Sequence, residues 1–157
     1  MTNRDKAKFI VRVAITHVLT YIGCGIIFSQ IFNYQSSLVE SGNMRDMNSL
    51  LVQMAPLFQI IRGTLYGIVL LWIKDSVFGK NYGWLKLWLS LIIIGVFNTP
   101  ATSPFSIEEF IYVIPTNEPL SLKLGGLLEI LIQTVLFSIF VTCKKNRNII
   151  RDTGKLV

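Results

Sequence analysis

Four apolar runs, separated by stretches of 8 to 24 residues, constrain this chain more than any other feature. A hydrocarbon core about 30 Å thick is crossed by roughly 20 residues of α-helix. The runs cover residues 13–32 (VAITHVLTYIGCGIIFSQIF), 55–73 (APLFQIIRGTLYGIVLLWI), 82–97 (YGWLKLWLSLIIIGVF) and 122–142 (LKLGGLLEILIQTVLFSIFVT). Asn48 and Ser49 are good caps ahead of the second run, and Pro56 in its first turns marks either a kink or the helix start. The third run is the shortest and is stopped by Asn98, Pro100 and Pro104; Pro115 and Pro119 precede the fourth, and Lys144 and Lys145 follow it. The expected fold is an all-α membrane protein, a four-transmembrane-helix bundle forming one integral membrane domain over residues 1–157.

Composition agrees. The chain is 52% hydrophobic and 15% charged, against about a quarter charged in ordinary soluble domains. The net charge of +6 does not point to nucleic acid, because no basic patch is interleaved with exposed aromatics. Instead the basic residues flank the apolar runs. Arg4, Lys6, Lys8 and Arg12 precede the first, Lys74, Lys80 and Lys86 surround the connection between the second and third, and Lys144, Lys145, Arg147, Arg151 and Lys155 follow the fourth. The opposite loops hold only Arg45 and Lys123. By the positive-inside rule the basic side is cytoplasmic, which puts both termini in the cytoplasm of a multi-pass protein of the plasma membrane. Trp72, Tyr82 and Trp84 fall at the inner interface, where amphipathic rings settle.

The basic start and apolar centre of the first run have the layout of a signal peptide. His17 interrupts its apolar part, Tyr21 stands three residues before Cys24, and apolar sequence continues beyond Cys24. The run is therefore expected to be retained as a span. Cys24 and Cys143 are far apart and form no CxxC, and His17 is the single histidine. Neither a metal site nor a cofactor is expected within one chain.

The informative residues are polar ones inside the runs, since a charge at the centre of a membrane helix costs roughly 2.5–3.5 kcal/mol. Two full charges lie there, Arg62 and Glu129, each about seven residues from the outer end of its run. At 1.5 Å per residue both are expected about 10 Å below the outer boundary, as a buried ion pair. Helical spacing adds neighbours. Gln59, Arg62 and Tyr66 share a face of the second run; His17, Thr20, Tyr21 and Cys24 share one on the first; Gly125, Gly126, Glu129 and Gln133 share one on the fourth. The expectation is a polar seam of His17, Tyr21, Gln59, Tyr66 and Gln133 where runs one, two and four meet, with run three outermost. Gly63 and Gly67 form a GxxxG, which permits close backbone approach, either within the chain or between copies.

The stretch 98–121 is too apolar for a free loop, and Ser106 with Glu108 and Glu109 resembles the start of a short amphipathic helix on the outer surface. The two acids lie above the expected seam, as a structural lid or as a gate.

No Ser/His/Asp set can be brought together, and residues 63–67 (GTLYG) are not a phosphate-binding loop. No enzyme activity is expected. Two function classes stand: a non-catalytic interaction or accessory membrane subunit, and a small transporter or ion-coupled permease using a polar path around Arg62 and Glu129. The expected partners are the lipid bilayer and either a second copy or another membrane protein.

Overall fold

The computed structural model describes residues 1–33, 45, 48–99, 105–107 and 120–153. Among these every regular element is helical: α1 (Asn3–Ile31), α2 (Leu50–Gln53), α3 (Ala55–Trp72), α4 (Lys74–Val77), α5 (Gly83–Ile92) continuing as a π-helical segment (Ile93–Phe97), and a last helix, α6 (Leu120–Thr153). Three helices are long and apolar enough to cross a membrane: α1, α3 and the Leu120–Cys143 part of α6. The apolar helix Gly83–Phe97 is shorter.

The helix ends follow from local chemistry. α1 starts ten residues before the apolar run because Thr2 and Asp5 form a capping box: the Thr2 hydroxyl accepts from the Asp5 N–H at 3.2 Å, and the Asp5 carboxylate accepts from the Thr2 N–H at 3.0 Å. Pro56 lies in the first turn of α3, where a missing N–H costs nothing, so it starts a helix and does not kink one. α6 runs well past its apolar part, to Thr153. The connection between α4 and α5 turns on left-handed residues at Gly79 (φ 71°) and Tyr82 (φ 59°). Beyond Ile92 the helix widens, and the Asn98 N–H donates to the Ile93 carbonyl five residues back at 2.8 Å.

Contacts fix the directions. Along α1, Ile10 meets Gly67, Ala14 meets Gly63 and His17 meets Gln59, so α1 and α3 are antiparallel. Arg12 meets Val141, His17 meets Phe137, Gly25 meets Glu129 and Phe32 meets Gly125, so α1 and α6 are also antiparallel. α5 packs on α6. The apolar core gathers at the amino-terminal end of α1: Phe9 and Val13 with Leu70, Phe78, Leu87, Phe137 and Val141. Phe9 and Phe78 meet edge to face at 5.3 Å.

The outer surface differs from that of a water-soluble bundle, because large aliphatics cover it. On α1 the inward stripe includes His17, Thr20 and Cys24, whereas Val11, Ile15, Leu19 and Ile26 point outward, Leu19 being 68% exposed. Several hydroxyls are satisfied by their own helices: Thr16 donates to the Arg12 carbonyl, Thr64 to Ile60, Ser90 to Lys86 and Thr134 to Ile130. Polar groups turned inward or bonded locally, with large aliphatics outside, is the arrangement that lipid demands.

Candidate functional site

The polar residues converge on the imidazole of His17, which is 3% exposed. Its Nε2 lies 3.2 Å from Oε1 of Gln59, itself 8% exposed. The side-chain carbonyl oxygen accepts in the tautomer that carries the proton on Nε2. Aromatic rings close the remaining sides. Tyr66 and Phe137 stand edge to face on the imidazole at 5.0 and 5.7 Å, and they pack on each other at 5.8 Å. Tyr21 is farther out, at 6.2 Å. One turn along α1, the Thr20 hydroxyl donates to the His17 or Thr16 carbonyl at 3.0 Å. The cluster brings His17 and Tyr21 of α1 together with Gln59 and Tyr66 of α3 and Phe137 of α6. Gln133 is half-buried, and the helix register puts it at the level of Tyr21, above the imidazole.

Two glycines hold this arrangement. A Cβ on Gly63 would lie 2.7 Å from the Ala14 Cα and 3.2 Å from the His17 Cβ; one on Gly67 would lie 2.9 Å from the Ile10 Cα. The GxxxG face therefore lies against α1 of the same chain. Gly125 receives the Phe32 ring, at 2.8 Å from a Cβ placed there, whereas Gly126 has open space.

The two membrane charges do not share a level. Glu129 is half-buried, with its carboxylate oxygen 3.7 Å from where a Gly25 Cβ would be. Arg62 is exposed and adjoins Gly63, which lies against Ala14. Ala14 and Gly25 are separated along α1 by about 16 Å at 1.5 Å per residue, and Arg62, one residue nearer than Gly63, lies about 15 Å from the level of Glu129. The depth-matched pair expected from the apolar runs assumed that the helices end together. Instead the glycine contacts set the register, and α3 starts well below the far end of α1.

A second buried polar group escaped sequence reasoning. The Arg12 guanidinium, counted only as an orienting charge, is half-buried and donates to the Val141 carbonyl, with its Nε enclosed and unpartnered. Ser138, one turn earlier on α6, is fully buried with its hydroxyl oxygen unpartnered. Phe137 was also missed, although it follows Gln133 by four residues and Glu129 by eight and so shares their face. Glu108 and Glu109 lie outside the described residues, as does most of the expected surface helix; Ser106 is described and buried. Among the described residues no three of His, Cys, Asp and Glu come together to hold a metal ion.

No family model, curated protein or solved structure matches this chain.

Proposed function

We propose that this chain is a non-catalytic accessory subunit of the plasma membrane, crossing it four times with both termini in the cytoplasm, and that α3 docks it to another membrane protein. The observation that carries this reading is Arg62. Its side chain stands on the exposed face of α3 beside Phe58, Ile61 and Leu65. A guanidinium at this depth is costly in lipid and is stabilised by a carboxylate on a neighbouring helix. The partner is thus a membrane protein with an intramembrane acidic side chain. The closed packing around His17 supports a structural rather than a conducting seam.

Topology supports four crossings. α1 and α6 are antiparallel, as are α1 and α3, so α3 ends and α6 begins at opposite ends of the bundle, which favours a return crossing between Trp72 and Leu120. The apolar helix Gly83–Phe97 lies in that interval. The same end then collects the basic segments before α1 and around α4, which the positive-inside rule assigns to the cytoplasm.

A photo-crosslinking amino acid at Phe58 or Leu65, activated in intact native membranes, tests the docking. The expected product is one discrete protein adduct whose yield falls about tenfold with Arg62→Gln, the equivalent of ~1.4 kcal/mol. Adducts with lipid alone, or a protein adduct indifferent to Arg62→Gln, would overturn the proposal. The adduct mass separates a different protein from a second copy.

A further inference from the structure

A groove of about 340 Å³ opens between the first turns of α1 and the last turns of α3. Ile10, Ile68, Leu71 and Trp72 line it, and Lys6 and Lys74 stand at its edge. Trp72 is 83% exposed. The Lys74 ammonium reaches the Met1 sulfur at 4.0 Å, and among the described residues neither lysine pairs with a carboxylate. Two acids are near in sequence. Asp5 is taken up by the Thr2 capping box, and Asp75 is exposed.

We propose that this groove holds one anionic phospholipid of the inner leaflet, its phosphodiester between Lys6 and Lys74 and its upper acyl chain along Ile10, Ile68 and Leu71. The chemistry is complementary at both ends. Two positive charges meet a negative headgroup at the boundary, and an aliphatic wall continues beneath them. The indole of Trp72 suits the layer between, where an amphipathic ring is most stable. Lysines at this boundary attract an anionic surface. The inference rests on the membrane orientation proposed above but not on the docking through Arg62, which lies on another part of α3. Loss of one leaves the other standing.

The test uses the full chain with Trp84→Phe and Trp88→Phe, so that Trp72 is the single indole, reconstituted in phosphatidylcholine vesicles. Brominated phosphatidylglycerol or brominated phosphatidylcholine is added at equal mole fraction, and Trp72 quenching is read. The expected result is about a tenfold apparent preference for the anionic lipid, lost in Lys6→Gln with Lys74→Gln. Lys80→Gln with Lys86→Gln, at the same end but outside the groove, retains it. Free glycerol phosphate in the buffer leaves the quenching unchanged. Equal quenching by both lipids would overturn the site, as would a preference that survives the groove variant. An equal loss in the Lys80/Lys86 variant means diffuse charge and also overturns it, and relief of quenching by glycerol phosphate means a soluble anion takes the site.

Discussion

Gly63 of α3 approaches Ala14 of α1 so closely that a Cβ on the glycine would lie 2.7 Å from the Ala14 Cα and 3.0 Å from its carbonyl oxygen. The obstacle is backbone, which cannot step aside as a side-chain tip can. Everything else in the α1–α3 seam depends on this approach, because it brings Gln59 level with His17.

The first prediction follows directly. Gly63→Ala and Gly67→Ala each destabilise the fold by about 1–3 kcal/mol, the usual cost of overpacking. Gly126→Ala serves as the comparison, since nothing lies within 4 Å of its Cβ position. There the gain in helix propensity should stabilise by about 0.5–1 kcal/mol. SDS titration of the protein in mild detergent, followed by helical circular dichroism, reads the three midpoints. An unmoved midpoint for Gly63→Ala is incompatible with the packing described here.

Parts of this were legible in the sequence for physical reasons. Run length and hydropathy mark where lipid lies. Helical spacing picks out His17, Thr20 and Cys24 as one face, and in lipid that polar face is the buried one. Register was not legible. It depends on which small residues touch across two helices, and Gly63 meeting Ala14 is a pairwise fact that neither helix carries alone. Equal depth for Arg62 and Glu129 was inferred from run ends, which the structure staggers. Phe137 carries no such signal, because an aromatic ring in an apolar run is not costly in lipid; only its spacing from Gln133 puts it on their face.

The His17–Gln59 contact predicts energetic coupling. Gln59→Leu removes the acceptor and leaves the imidazole N–H enclosed by Tyr66 and Phe137. His17→Phe leaves the Gln59 amide in the same position. Each single variant should lose about 1–3 kcal/mol, and the double variant less than their sum by about 0.6–1.7 kcal/mol. A double-mutant cycle on the same SDS titration measures the difference. Additive losses mean that the 3.2 Å contact contributes nothing specific.

Gly83 is predicted to be the least replaceable glycine. A Cβ on it would lie 1.8 Å from the Val77 carbonyl oxygen, closer than any real contact. Its neighbour Tyr82 already occupies the left-handed region at φ 59°, so the turn has little freedom left to absorb a shift. Gly83→Ala should cost about 3 kcal/mol and lower the yield of folded protein in membranes. Gly95→Ala, in the π-helical segment with nothing within 4 Å, should not. Fluorescence-detected gel filtration of detergent extracts compares the two.

The stagger between Arg62 and Glu129 predicts how cysteine cross-linking should turn out. With Cys24 and Cys143 replaced by alanine, a Gly25→Cys and Glu129→Cys pair should be joined by a short bis-thiol-reactive linker, since the Glu129 carboxylate reaches the Gly25 position. Arg62→Cys with Glu129→Cys should not, because their levels differ by about 15 Å along the helix axis, beyond the reach of such a linker. The charge exchange Arg62→Glu with Glu129→Arg should likewise give no recovery over the single variants. A direct ion pair would instead show mutual rescue in that exchange. Efficient cross-linking of positions 62 and 129 within a monomer would require a different register between α3 and α6. That would move either Gln59 or Phe137 off the level of His17, since both helices are registered on α1, so this one experiment bears on the whole seam.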